Sequence, residues 1–142
     1  MGRIALLMLA LSITDPVTLA VADPAYSERC ENVRNNDLRF LCKSRYEDID
    51  DTDLRMMLKN RCDDIRDDDL RMVCKNRCGD VRDADLLGLC KGKCDAIHDG
   101  DTFGVCKGRC DDVHDGDLFN LCKAKLGKAL MFDAAWYRKH HH

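Results

Sequence analysis

The chain has 142 residues with ten cysteines; 45% are hydrophobic, 35% charged and only 6% aromatic, and the formal charge is −3. That length bounds it to one domain with a tail, and so few large apolar side chains exclude the thick core of an α/β enzyme. The near-balanced charge excludes nucleic-acid binding by bulk electrostatics, which needs a single-signed basic surface.

The chain opens with Met1-Gly2-Arg3, continues as an apolar run from Ile4 to Ile13, and reaches small residues at Ala20-Val21-Ala22. A basic start, a short apolar segment and an A-x-A site are the parts of a secretory signal peptide. Residues 1–22 are therefore expected to be a signal, with the mature chain starting at Asp23. The apolar run is ten residues long and Asp15-Pro16 follows it. A bilayer span needs about 20, so no stable membrane insertion is expected after cleavage. The expected location is secreted or periplasmic, where cysteines normally pair.

A helix is predicted from about Pro24 to Val33, with Asp23 as its cap and Pro24 at its first position. From Cys30 the chain repeats every 16 residues, in six units beginning at Cys30, Tyr46, Cys62, Cys78, Cys94 and Cys110 and covering 30–125. The consensus is C-x-x-[VI]-x-[DN]-x-D-[LT]-x-x-[LVM]-C-K-x-[RK]. Apolar residues recur at positions 9, 12 and 13 and at positions 1 and 4 of the next unit, as in Leu86, Leu89, Cys90, Cys94 and Ile97. Spacings of three, one, four and three trace one helix face. They predict helices over 38–49, 54–65, 70–81, 86–97 and 102–113, and one starting at 118. The four-residue links between them run Asp50–Asp53, Arg66–Asp69, Arg82–Asp85, His98–Asp101 and His114–Asp117. The last aspartate of each link reads as a helix cap. Gly100 and Gly116 read as helix stops. Links this short predict antiparallel neighbours. The expected fold is all-α: a disulfide-stapled array of short antiparallel helices, a miniature α-solenoid occupying 23–125.

The second unit decides the cysteine pairing. It has Tyr46 at position 1 and Leu58 at position 13, so both of its cysteines are missing together. If positions 1 and 13 of one unit pair, that loss orphans nothing. The expected bonds are Cys30–Cys42, Cys62–Cys74, Cys78–Cys90, Cys94–Cys106 and Cys110–Cys122. Two cysteines four apart on one helix aim their Cβ vectors poorly for bonding. The local spacing Cys74-x-x-x-Cys78, eleven residues, Cys90-x-x-x-Cys94 resembles the α-hairpinins, small secreted plant defence peptides built as a disulfide-held helix–turn–helix. The resemblance implies an inner bond at Cys78–Cys90 and an outer one at Cys74–Cys94, and a defence or inhibitor activity. Carried along the array, that outer bond leaves Cys30 and Cys106 unpaired, which favours the uniform scheme.

Ten thiols also raise thiolate metal binding, but the chain has no C-x-C and no C-x-x-C. Asp99 and Asp101, with Asp115 and Asp117 one unit on, are the nearest approach to a cation loop. The D-x-D-x-D-G calcium template is absent. Helix capping accounts for these aspartates, so no metal or cofactor is assigned. Lys91–Asp95 and Lys107–Asp111 read as helix-surface pairs. No nucleophile motif is present, and carboxylates that recur in every unit do not form a unique catalytic site. The tail, 126–142, concentrates Leu130, Met131, Phe132, Trp136 and Tyr137. It reads as a terminal cap, or as a candidate interaction patch. The expected role is non-catalytic: a rigid module contacting another protein, with no nucleic-acid partner. A secreted metal-binding protein is the alternative.

Overall fold

The computed structural model describes residues 24–141; the expected signal segment, its cleavage site and the Asp23 cap lie outside them. Every regular element among the described residues is helical. Helix α1 spans Pro24–Glu31. Six helices follow at the repeat period: α2 Asn36–Cys42, α3 Thr52–Leu58, α4 Asp68–Cys74, α5 Ala84–Lys91, α6 Gly100–Lys107 and α7 Gly116–Lys123. Short 3-10 turns separate them at Tyr46–Asp48, Cys62–Asp64, Cys78–Asp80, Cys94–Ala96 and Cys110–Asp112. The chain ends in α8, Lys128–His140.

The predicted helices across each unit boundary are split in two. Each α-helix stops at a left-handed residue, which is Ser44, Asn60, Asn76, Gly92 or Gly108. Glycine and asparagine tolerate positive φ best. At the Gly92 stop, the Gly92 N–H donates to the Leu89 carbonyl (3.2 Å) and the Lys93 N–H to the Gly88 carbonyl (2.8 Å), a Schellman closure. The apolar spacing survives because the 3-10 turn returns position 4 to the same side. Val33, Ile49, Ile65, Val81, Ile97 and Val113 are all buried. Gly100 and Gly116, read above as stops, instead open helices, and neither has positive φ.

Within a unit boundary the helix and the turn after it pack closely, and Gly88 shows how closely. A Cβ there would meet Ile97 Cγ1 at 2.9 Å and the Lys93 carbonyl at 3.2 Å. Gly→Ala in a helix normally gains about 1 kcal/mol, but overpacking costs roughly 1–3. Gly88→Ala is therefore expected to lower stability by about 1 kcal/mol. A denaturant midpoint shifted upward would contradict this.

The caps also sit two residues earlier than the link pattern predicts. Position 6 is the cap: Asn35, Asp51, Asp67, Asp83 and Asp115 accept from the backbone N–H three residues on, at 2.8–3.0 Å. Asp99 caps the Thr102 N–H at 2.9 Å and also takes the buried Thr102 hydroxyl, at 2.6 Å. Position 8 instead clamps the next unit. Asp85 accepts from the His98 N–H (2.7 Å) and the Asp99 N–H (3.1 Å). Asp37, Asp53, Asp69 and Asp101 repeat the clamp on their own successors.

The array closes on itself. Asp117, in the last unit, makes the same clamp on the first: it accepts from the Arg34 N–H at 2.7 Å and the Asn35 N–H at 3.0 Å. Helix α1 packs beside α7 across this seam. There the Asn120 side-chain amide donates to the Asn32 carbonyl at 3.3 Å. Each clamp joins one helix start to the next, so α2–α7 stand side by side with their N-termini on one rim. The expected array and staples are present, but its six α-helices share a direction rather than alternating. Each 3-10 turn and the extended residues after it carry the chain back to the starting rim.

The ring is filled by α8. Seven consecutive residues, Met131 to Tyr137, are buried. At about 100° per residue they cover every side of the helix, the signature of a helix enclosed on all sides. The chain enters through Lys125, held left-handed at φ 61°. The tail is thus neither a terminal cap nor a patch. Met131, Phe132, Trp136 and Tyr137 are core, and Leu130 is half-buried against it.

All five bonds join positions 1 and 13 of one unit: Cys30–Cys42, Cys62–Cys74, Cys78–Cys90, Cys94–Cys106 and Cys110–Cys122. Cys74 and Cys94 are therefore not joined to each other. Beside the bridge, the position-14 lysine reaches the acid at position 2 of its own unit, as in Lys75–Asp63 (2.8 Å), Lys107–Asp95 (3.1 Å) and Lys123–Asp111 (3.0 Å). These replace the i,i+4 pairs predicted above, because the left-handed stop turns the next unit's acid away. Lys59–Glu47 (2.6 Å) keeps the rung in the unit that lacks a disulfide.

Candidate functional site: a carboxylate rim around a cationic helix end

The common rim carries the aspartates of positions 6 and 8, and α8 delivers its C-terminal turn into them. The negative end of a helix dipole favours cations there, and this helix ends in Arg138, Lys139 and His140. Successive helix residues point about 100° apart, so they fan out to different units. The Tyr137 hydroxyl donates to Asp37 Oδ2 at 3.3 Å. Arg138 Nε pairs with Asp115 at 2.6 Å and its Nη2 reaches Asp117 at 3.7 Å. Lys139 meets Asp83 at 3.0 Å and Asp85 at 3.8 Å. His140 Nε2 lies 3.4 Å from Asp67, and His141 Nε2 lies 2.7 Å from Asp51.

These contacts set the electrostatics of the rim. Desolvation pushes the Asp83 carboxyl up, but the Leu86 amide and Lys139 outweigh it and hold the group below its ordinary range. Burial, then the charge of Asp37, raises the Tyr137 phenol. The candidate cation residues are all engaged. Asp99 caps α6, and Asp101 clamps His114 and Asp115. Asp115 caps α7 and holds Arg138, and Asp117 closes the ring. Among the described residues no group of three or more metal-ligating side chains gathers, and all ten cysteines are bonded.

Sequence reasoning missed one group, Asp133. It is 3% exposed at the centre of α8, and its Oδ1 has no partner; neither has the neighbouring Trp136 Nε1. Burial raises its carboxyl to about 8. The unfolded chain loses this proton near the ordinary carboxylate range, at about 3.9. Stability from this group is thus fully present below about pH 4 and falls through to about pH 8, by up to about 1.4 kcal/mol per unit. Asp133→Asn should flatten that slope and be more stable than the parent at pH 8 by a few kcal/mol. Parallel stability–pH curves for the two proteins would contradict this.

Fold and rim together define an all-α ring of disulfide-braced 16-residue repeats, closed on itself and filled by its own C-terminal helix. No protein-family model, curated protein or solved structure matches the chain. Five disulfides are the chemistry of an oxidising environment. No helix among the described residues is long and apolar enough to cross a membrane.

Proposed function

We propose that the chain is an exported, non-catalytic module whose rigid outer surface contacts another protein in the envelope or outside the cell. The observation that carries this reading is the closed, braced ring. Its repeated position-6 and position-8 carboxylates are committed to backbone amides, so they hold the architecture rather than act as general acids or bases. The signal-like segment at 1–22 and the five bridges support a secreted or periplasmic setting. On the ring helices, the partly exposed rings of Phe40, Phe103 and Phe119 lie beneath Arg45 (5.2 Å), Lys107 (5.6 Å) and Lys123 (5.5 Å). Phenylalanine is among the residues enriched at protein contacts.

The test uses the full chain in its source cells. The exported protein should begin at Asp23 and titrate no free thiol. In oxidised form it should bind a protein component of the envelope or medium saturably, and reduction with alkylation should abolish that binding. A cytosolic protein with an intact N-terminus, or binding indifferent to reduction, would overturn the proposal.

A further inference from the structure

We propose that the opening between α6, α7 and the start of α8 binds an anionic amphiphile: a monocarboxylate with an apolar tail. The cavity measures about 610 Å³, within the size range of small-molecule sites. Its floor is apolar, formed by Leu89, Val105, Leu126 and Met131. Its mouth is cationic, with Arg109, Lys123, Lys125 and Lys128 around it. The one acid lining it, Asp111, is already held by Lys123 at 3.0 Å, and Arg109 lies 4.0 Å from Asp112 beside the opening, so four cations face two acids there.

In a chain of net charge −3, this is a local excess of positive charge set over an apolar base. Helix α8 adds to it. Its cap residue, Gly127, offers no side-chain acceptor and its first turn holds no acid, so the positive end of its dipole faces the same region. A second opening, of about 770 Å³, is lined by Glu31, Asn32, Arg34, Gly116, Asp117, Asn120 and Arg138. It mixes both charges and has no apolar floor. Of these two openings, the first matches a carboxylate head and a hydrocarbon tail together. The tail would lie on Leu89 and Met131, with the head among Arg109, Lys125 and Lys128.

The experiment titrates the oxidised full-length protein with sodium decanoate below its micelle concentration, with decanol, decyltrimethylammonium and anionic lipid vesicles as comparisons. The expected result is one decanoate per chain, bound at least tenfold more tightly than decanol or the cation. Methyl resonances of Met131 and Leu126 should shift on binding. The Lys125→Glu/Lys128→Glu variant, both positions being exposed, should keep its melting temperature and bind at least tenfold more weakly. Absent or non-saturable decanoate binding, equal binding of the cation, unmoved Met131 and Leu126 methyls, or an unaffected double variant would overturn the proposal. So would binding of vesicles without binding of monomeric decanoate, which would make the basic cluster a membrane-facing surface.

Discussion

Excess reductant at neutral pH should remove most of the far-UV helical signal of this protein. Each bridge closes a short loop, its cysteines 12 residues apart. A loop of that size is worth roughly 3 kcal/mol in the chain-entropy model. Five together approach about 15 kcal/mol, the upper end of what a domain has in total. The noncovalent remainder is small. No unit buries more than three aliphatic side chains larger than alanine, and helices of seven or eight residues are not stable alone. The lysine–acid rungs beside the bridges are surface pairs, worth about 0–1 kcal/mol each. Circular dichroism with and without reductant is the measurement. An unchanged spectrum with all thiols titratable would mean that the ring holds without its bridges.

Trp136→Ala should cost about 3–5 kcal/mol, the range for removing a large core aromatic. Trp136 is 2% exposed and stacks on His140 with ring centroids 4.8 Å apart. The indole stands inside the ring, so its loss leaves a void that six helices bound by clamps and bridges cannot close. Trp136→Phe should cost far less, within about 1.5 kcal/mol, because it keeps much of the volume and removes a buried N–H that has no partner. Denaturant midpoints for the two variants check both numbers. A cost below about 1 kcal/mol for Trp136→Ala is what an exposed surface residue gives, and would mean that α8 does not fill the ring.

The repeat, the helical class and the bridges were legible in the sequence because each rests on a short-range rule. The paired absence of cysteine at Tyr46 and Leu58 selects the connectivity without any geometry. Helix length was misread because apolar periodicity is blind to a left-handed residue between two helical segments. Asn60, Asn76, Gly92 and Gly108 in the middle of the predicted helices were the available signal. Closure was missed because it is long-range, yet two orphans marked it. Asp117 repeats a clamp residue with no unit after it to clamp, and the Arg34 and Asn35 amides have no unit before them. The role of the tail was hidden for a related reason. Its apolar residues resemble a patch until a ring exists to surround them, and Arg138 and Lys139 find their meaning only against a rim of aspartates.

Closure of the ring is open to direct measurement by amide hydrogen exchange resolved to single residues. The Arg34 and Asn35 N–H groups should be protected as strongly as their equivalents Arg82 and Asp83, which Asp69 holds at 2.8 and 3.1 Å. Asp117→Ala should release the first pair and leave the second protected. Free-chain exchange at Arg34 and Asn35 in the parent protein, with Arg82 and Asp83 protected, would show an open array and contradict the ring.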